Sequence, residues 1–164
     1  MERINMVDIR AKSSIYSIIV LIGAIIGIAG IFLAWFQADV MVTTISSSGW
    51  DIIQNAIDKG DFDLSDGYYR WMPLIVLVFA VIAALNSLVS IARPGRTGGI
   101  IAVISGLLMI IAAILFITYS ETDLGVTWFK MSDYLGVGVY LAIVAGALSL
   151  IFGALMSTSK AINE

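Results

Sequence analysis

The densest run of side chains able to bind or react spans residues 58–67, where Asp58, Lys59, Gly60, Asp61, Phe62, Asp63, Leu64, Ser65, Asp66 and Gly67 follow one another. Oxygen-rich clusters suit a hard cation such as calcium, and Asp61, Asp63 and Ser65 have the alternate spacing that opens an EF-hand loop. The register then departs from that pattern. Its sixth position is Asp66, where the loop needs glycine, and its twelfth is Met72, where it needs a bidentate glutamate. Asp61, Asp63 and Asp66 are the chain's calcium candidates, and a solvated acidic loop is the reading those departures favour. For paired-carboxylate hydrolysis, no sequence context fixes two acids in a working geometry.

Other chemistries are closed off by composition. The chain has no histidine and no cysteine, which removes His-ligated haem, cysteine-ligated iron–sulfur clusters, Cys/His zinc sites, thiol catalysis and disulfides. The glycines sit in apolar runs without the strand and lysine context of a phosphate-binding loop. No cofactor, no catalytic residue and no nucleic-acid partner is expected, and the chain is read as not an enzyme.

The acidic loop belongs to a chain built for lipid. Of 164 residues, 60% are hydrophobic and 13% charged, against about a quarter charged in soluble domains. Four apolar runs, 13–36, 71–92, 99–119 and 135–156, contain no ionisable side chain. Each has about the 20 residues a helix needs to cross a hydrocarbon core of roughly 30 Å. The fold class expected is an all-α membrane protein, a four-helix transmembrane bundle in one domain over 1–164, with outer loops 37–70 and 120–134 and an inner turn 93–98. The first run is too long for the apolar core of a signal peptide and reads as a retained anchor.

Basic residues near span ends set orientation, because Lys and Arg resist translocation. Arg3, Arg10, Lys12, Arg93, Arg96 and Lys160 fall on one side, and only Lys59, Arg70 and Lys130 on the other. Nine of the twelve acidic residues share that second side. The pattern places both termini in the cytoplasm and the chain in the cell membrane. All four tryptophans, Trp35, Trp50, Trp71 and Trp128, lie in or beside the outer segments. Rings with a polar edge favour the headgroup layer, so Trp35, Trp71, Tyr119 and Trp128 are read as outer-interface anchors.

Arg93, Pro94, Gly95 and Arg96 carry turn chemistry, with Pro94 fixing φ and Gly95 tolerating left-handed backbone. They make a tight hairpin of the second and third spans. Residues 64–68 before the second span resemble 131–134 before the fourth, and Ser or Asp there would cap the following helix; duplication and convergent capping explain the likeness equally. In the first outer loop, β-branched residues 40–45 predict a strand, 46–49 a turn, and 51–57 a short helix with Ile52, Ile53, Ala56 and Ile57 on one face. In the second, 124–130 predicts another strand, and the two strands are expected to pair as a small extracellular sheet over the bundle.

Association of helices in lipid depends on close packing at small residues. Gly23, Gly27 and Gly30 in the first span, Ala80 and Ala84 in the second, and Gly138, Ala142, Gly146 and Gly153 in the fourth supply them. These faces are assigned to the bundle interior, with contacts to other subunits as the alternative. Asn86 is the most polar side chain deep in a span, and its amide needs a partner on a neighbouring helix.

Inside termini, a larger first outer loop with strand character and Gly49-Trp50, a tight inner turn and a smaller second outer loop give a layout that resembles the claudin and PMP22-like tetraspan families. Claudins carry a leucine between that Gly and Trp and a cysteine pair after them, and neither is present here. The resemblance implies an outer sheet on a left-handed bundle and a role in lateral assembly or surface contact. The function expected is therefore a non-enzymatic assembly or interaction protein, either an accessory subunit of a membrane complex or a self-associating surface protein. Its partners would be the lipid bilayer and either other membrane subunits or copies of itself. The alternative is an oligomeric pore or carrier for an uncharged or lipidic substrate, with Ser87, Ser90, Ser105 and Thr118 lining a path.

Overall fold

Lipid offers no hydrogen bonds, so an apolar run must satisfy its own backbone, and each of the four runs does so as a helix. The computed structural model describes residues 2–59, 68–123 and 126–158. Along the chain the elements are α1 (Glu2–Ile31), β1 (Ala34–Val40), β2 (Thr43–Ser48), α2 (Gly49–Asp58), α3 (Met72–Ala92), α4 (Arg96–Ile117), β3 (Ser120–Asp123), β4 (Val126–Lys130) and α5 (Val137–Thr158). Four of these helices, α1, α3, α4 and α5, are long and apolar enough to cross a membrane. The chain is a multi-pass membrane protein of tetraspan topology.

Each long helix packs on two others: α1 lies between α3 and α5, α4 lies between the same two, and α3 and α5 barely meet across the diagonal. The hairpins and α2 lie at one end of the bundle, the cap end. The α3–α4 turn lies at the other, where Ser17 of α1 reaches Met156 of α5. The buried apolar residues form two clusters, a larger one with Met72, Val76, Met109 and Phe116 toward the cap and a smaller one with Val20, Ala24, Ala83 and Ala102 toward the turn.

Helix α1 stops at Ile31, five residues before its apolar run ends, and the cause is Trp35. Phe32 and Leu33 tighten the last turn by bonding to the Ala29 and Gly30 carbonyls. The Trp35 indole then folds back and donates to the same Gly30 carbonyl at 3.0 Å, a second bond on an acceptor at the helix end. From Ala34 the chain is a strand. Elsewhere α4 starts at Arg96, which shortens the inner turn to little more than Pro94 and Gly95. Gly95 is extended (φ −167°, ψ 160°) and does not use the left-handed freedom expected of it.

The expected sheet joining the two loops does not form. Each loop makes its own antiparallel hairpin, β1 with β2 and β3 with β4, and an isolated bridge ties Phe36 of β1 to Leu135, ahead of α5. Nearest-neighbour pairing closes a far shorter loop, which costs less chain entropy. The predicted strand over 40–45 straddles a chain reversal at Met41 and Val42, and the predicted turn over 46–49 is the end of β2 and the start of α2. Expected capping by Ser or Asp is also absent ahead of α3, whose N-cap is Trp71 without a side-chain bond. A 3-10 turn precedes α3 (Tyr68–Trp71) and another precedes α5 (Met131–Tyr134), so the two halves share that turn and not a cap. Asp61, Asp63 and Asp66 lie outside the described residues.

Candidate functional site

The small residues named above all turn inward. Gly23 meets Leu148, Gly27 meets Ala145 and Ala80, and Gly30 meets Leu141 and Gly138. Ala142 is fully buried, and Ala84 packs against the core near the turn. Gly153 faces Ala102 and Val103. The backbones approach closely between α4 and α5, where a Cβ on Gly106 would lie 2.5 Å from the Gly146 carbonyl oxygen and one on Gly146 would lie 2.8 Å from that of Gly106. Backbones at that separation leave no room for a methyl group. Asn86 donates its side-chain amide to the Gly98 carbonyl at 2.8 Å, fastening α3 to the first turn of α4.

What faces outward is bulky and aliphatic: Ile18, Ile22 and Ile25 on α1, Leu85 and Leu88 on α3, Ile104 and Leu107 on α4, Val144 and Ile151 on α5. These side chains meet lipid. Ser87, Ser90 and Ser105 are buried inside the bundle, where Ser87 bonds to the Ala83 carbonyl of its own helix at 2.7 Å. Of the four residues named for the pore alternative, Thr118 alone is exposed.

The anchors are redistributed. Trp35, expected at the headgroup layer, has 0% exposure and packs edge-on against Phe116 with ring centroids 5.1 Å apart. Its N–H already has the Gly30 carbonyl, so water offers it nothing further. Gly49 and Gly138 frame the ring: a Cβ on either would come within 2.9 Å of its indole. That contact accounts for the glycine of the Gly49-Trp50 pair. Trp71 is half-buried against the cap-end core, and Tyr119 is half-buried against Tyr69, centroids 4.3 Å apart. The side chain of Trp128 lies outside the described ones. An exposed aromatic pair arises instead at the α1–cap junction, where Phe32 lies 5.8 Å from Trp50; Phe32 was concealed by its place within an apolar run.

The cap is a compact layer with one projecting part. Ser48 and Asp51 form a reciprocal box at the start of α2, the hydroxyl accepting from the Asp51 N–H at 3.0 Å and the carboxylate accepting from the Ser48 N–H at 3.1 Å. The helix buries Ile52, Ile53 and Ala56, while Ile57, expected on the same face, is exposed. Beneath it, Phe36, Phe129 and Tyr134 pack together, the last two nearly parallel with centroids 5.4 Å apart. A cavity of about 360 Å³ opens among these elements, floored by Phe36, Tyr69, Phe129, Ile52 and Met131, with Lys59, Arg70, Asn55 and Ser47 around it. The Arg70 guanidinium sits 5.7 Å from the Tyr69 ring centroid.

From this layer the β1–β2 hairpin projects. Val40 pairs with Thr43, leaving Met41 and Val42 as a two-residue turn. Met41 has φ 47°, a left-handed conformation that glycine, asparagine or aspartate ordinarily takes. Exposure is 103% for Met41 and 95% for Val42, so neither side chain touches its own molecule. Asp39 beside them accepts a bond from the Thr44 hydroxyl at 2.8 Å. No Gly, Asn, Asp or Pro stands at Val40 to Thr43 to mark this turn.

Among the described residues no group of three or more acidic side chains gathers as a metal site. Compared with known protein families, curated proteins and solved structures, the chain matches none.

Proposed function

We propose that this protein is a non-enzymatic assembly protein of the cell membrane, with both termini in the cytoplasm and the cap outside. Its work is contact, as the topological likeness to claudin and PMP22-like proteins implies, either within a larger membrane complex or among its own copies. The observation that carries the reading is the hairpin tip. Two large apolar side chains stand clear of their own chain, one on a strained backbone, and strain of order 1–3 kcal/mol persists at sites where it serves a purpose. Contiguous exposed apolar groups outside lipid mark interaction sites. The spans add support from the other direction, since their small faces are used up internally and their serines are buried.

The test is extraction in a mild detergent followed by native mass analysis. A species well above the 17.6 kDa chain, made of copies or of copies with a companion, is the expected result. A lone 17.6 kDa species from native membranes overturns the reading. Orientation is checked separately with Arg93→Cys: an impermeant thiol reagent added outside intact cells should leave it unlabelled.

A further inference from the structure

The cap carries both halves of a self-complementary contact. One is the knob, Met41 and Val42, fully exposed at the tip of the hairpin with Asp39 beside it. The other is the cavity of about 360 Å³ with an aromatic and aliphatic floor and the cations Lys59 and Arg70 at its edge. The shapes correspond: the cavity has room for a methionine and a valine side chain, and the unbranched, adaptable thioether of methionine suits a floor of rings. The charges correspond as well, with the Asp39 carboxylate next to the knob and the Lys59 ammonium next to the hole. We infer that the hairpin tip of one copy seats in the cap cavity of a second copy, Met41 and Val42 on the floor formed by Phe36, Tyr69 and Phe129, with Asp39 facing Lys59.

This deepens the self-association branch of the proposed function and rests on it. We take the contact as head to tail, each knob in the hole of the next copy, and not as a reciprocal pair that would close a dimer. Such interfaces propagate as rows unless the rotation happens to close a ring. Lipid is the poorer occupant for the tip, because inserting Met41 would draw the neighbouring Asp39 carboxylate toward hydrocarbon.

The chain contains no cysteine, so introduced thiols report without background. In membranes treated with a mild oxidant, Met41→Cys combined with Asn55→Cys, a residue at the cavity edge, should give a ladder of disulfide-linked multimers. A mixture of the two single variants should stop at dimers, and each single variant alone should give almost none. Met41→Asp with Val42→Asp should weaken self-association roughly 30-fold or more, the scale of a central interface residue. Both positions are fully exposed, so the fold should be unchanged. Asp39→Lys and Lys59→Asp should each reduce cross-linking, and the pair together should restore it. Efficient cross-linking of Met41→Cys alone would show a tip-to-tip contact and overturn the proposal. So would undiminished association of the double aspartate variant, which would leave self-association standing through another face. A wild-type protein that is monomeric in its membrane would instead overturn the reading beneath both.

Discussion

The bundle and the cap differ in what each leaves uncovered. In the bundle, the glycines and most of the alanines are spent on neighbouring helices of the same chain, Ala29 and Ala154 being exposed, and bulky aliphatic side chains dominate the outer faces. In the cap the balance is reversed: most rings are gathered inward, yet the hairpin leaves Met41 and Val42 uncovered. Close packing supplies the attraction between helices in a membrane, so a helix surface without small residues has little to offer another subunit. An apolar side chain in water gains by being covered, by about 1.5–3 kcal/mol for a large one. The difference teaches that the spans complete a scaffold, and under the proposed function the cap is where contact is made.

The largest effect expected within this comparison is at their junction. Trp35→Ala would empty a packed site and remove the indole bond to the Gly30 carbonyl, costing about 3–5 kcal/mol, read as a lowered midpoint in a denaturing-detergent titration. Gly106→Leu attacks the scaffold alone and should separate α4 from α5 at a cost of about 2–3 kcal/mol, with the cap hairpins following only through the loss of their base. Asn86→Leu removes the amide bond to Gly98 and should cost about 1 kcal/mol, opening the α3–α4 hairpin to faster backbone exchange. The smallest is Ser149→Ala. Its buried hydroxyl has no partner among the described residues, so the change should fall within about 0.5 kcal/mol of neutral or stabilise; a loss of about 2 kcal/mol would reveal a bond the structure does not contain.

The scaffold was legible in the sequence because lipid imposes a simple code. Apolar length fixes each span, and glycines four apart, as at 23 and 27, fix a face. Trp35 was misread because a tryptophan next to an apolar run has two ways to satisfy its N–H, the headgroup layer or a helix-end carbonyl, and sequence does not say which is nearer. The cap was harder. Its strands were found near the right places, but the reversal at Met41 and Val42 uses residues that signal strand, so the register was lost at the one point that matters for contact. Cross-loop pairing was expected because edge strands need partners, and each strand found a closer one in its own loop.

The most direct measurement compares two variants in the same membrane, by energy transfer between labelled copies. One is Met41→Asp with Val42→Asp; the other replaces Leu85, Leu107 and Ile151, lipid-facing residues on three spans, by alanine. The account predicts that transfer collapses for the tip variant and persists for the span variant. Persistence in the first with collapse in the second would contradict it, by showing that the helices and not the cap hold the copies together.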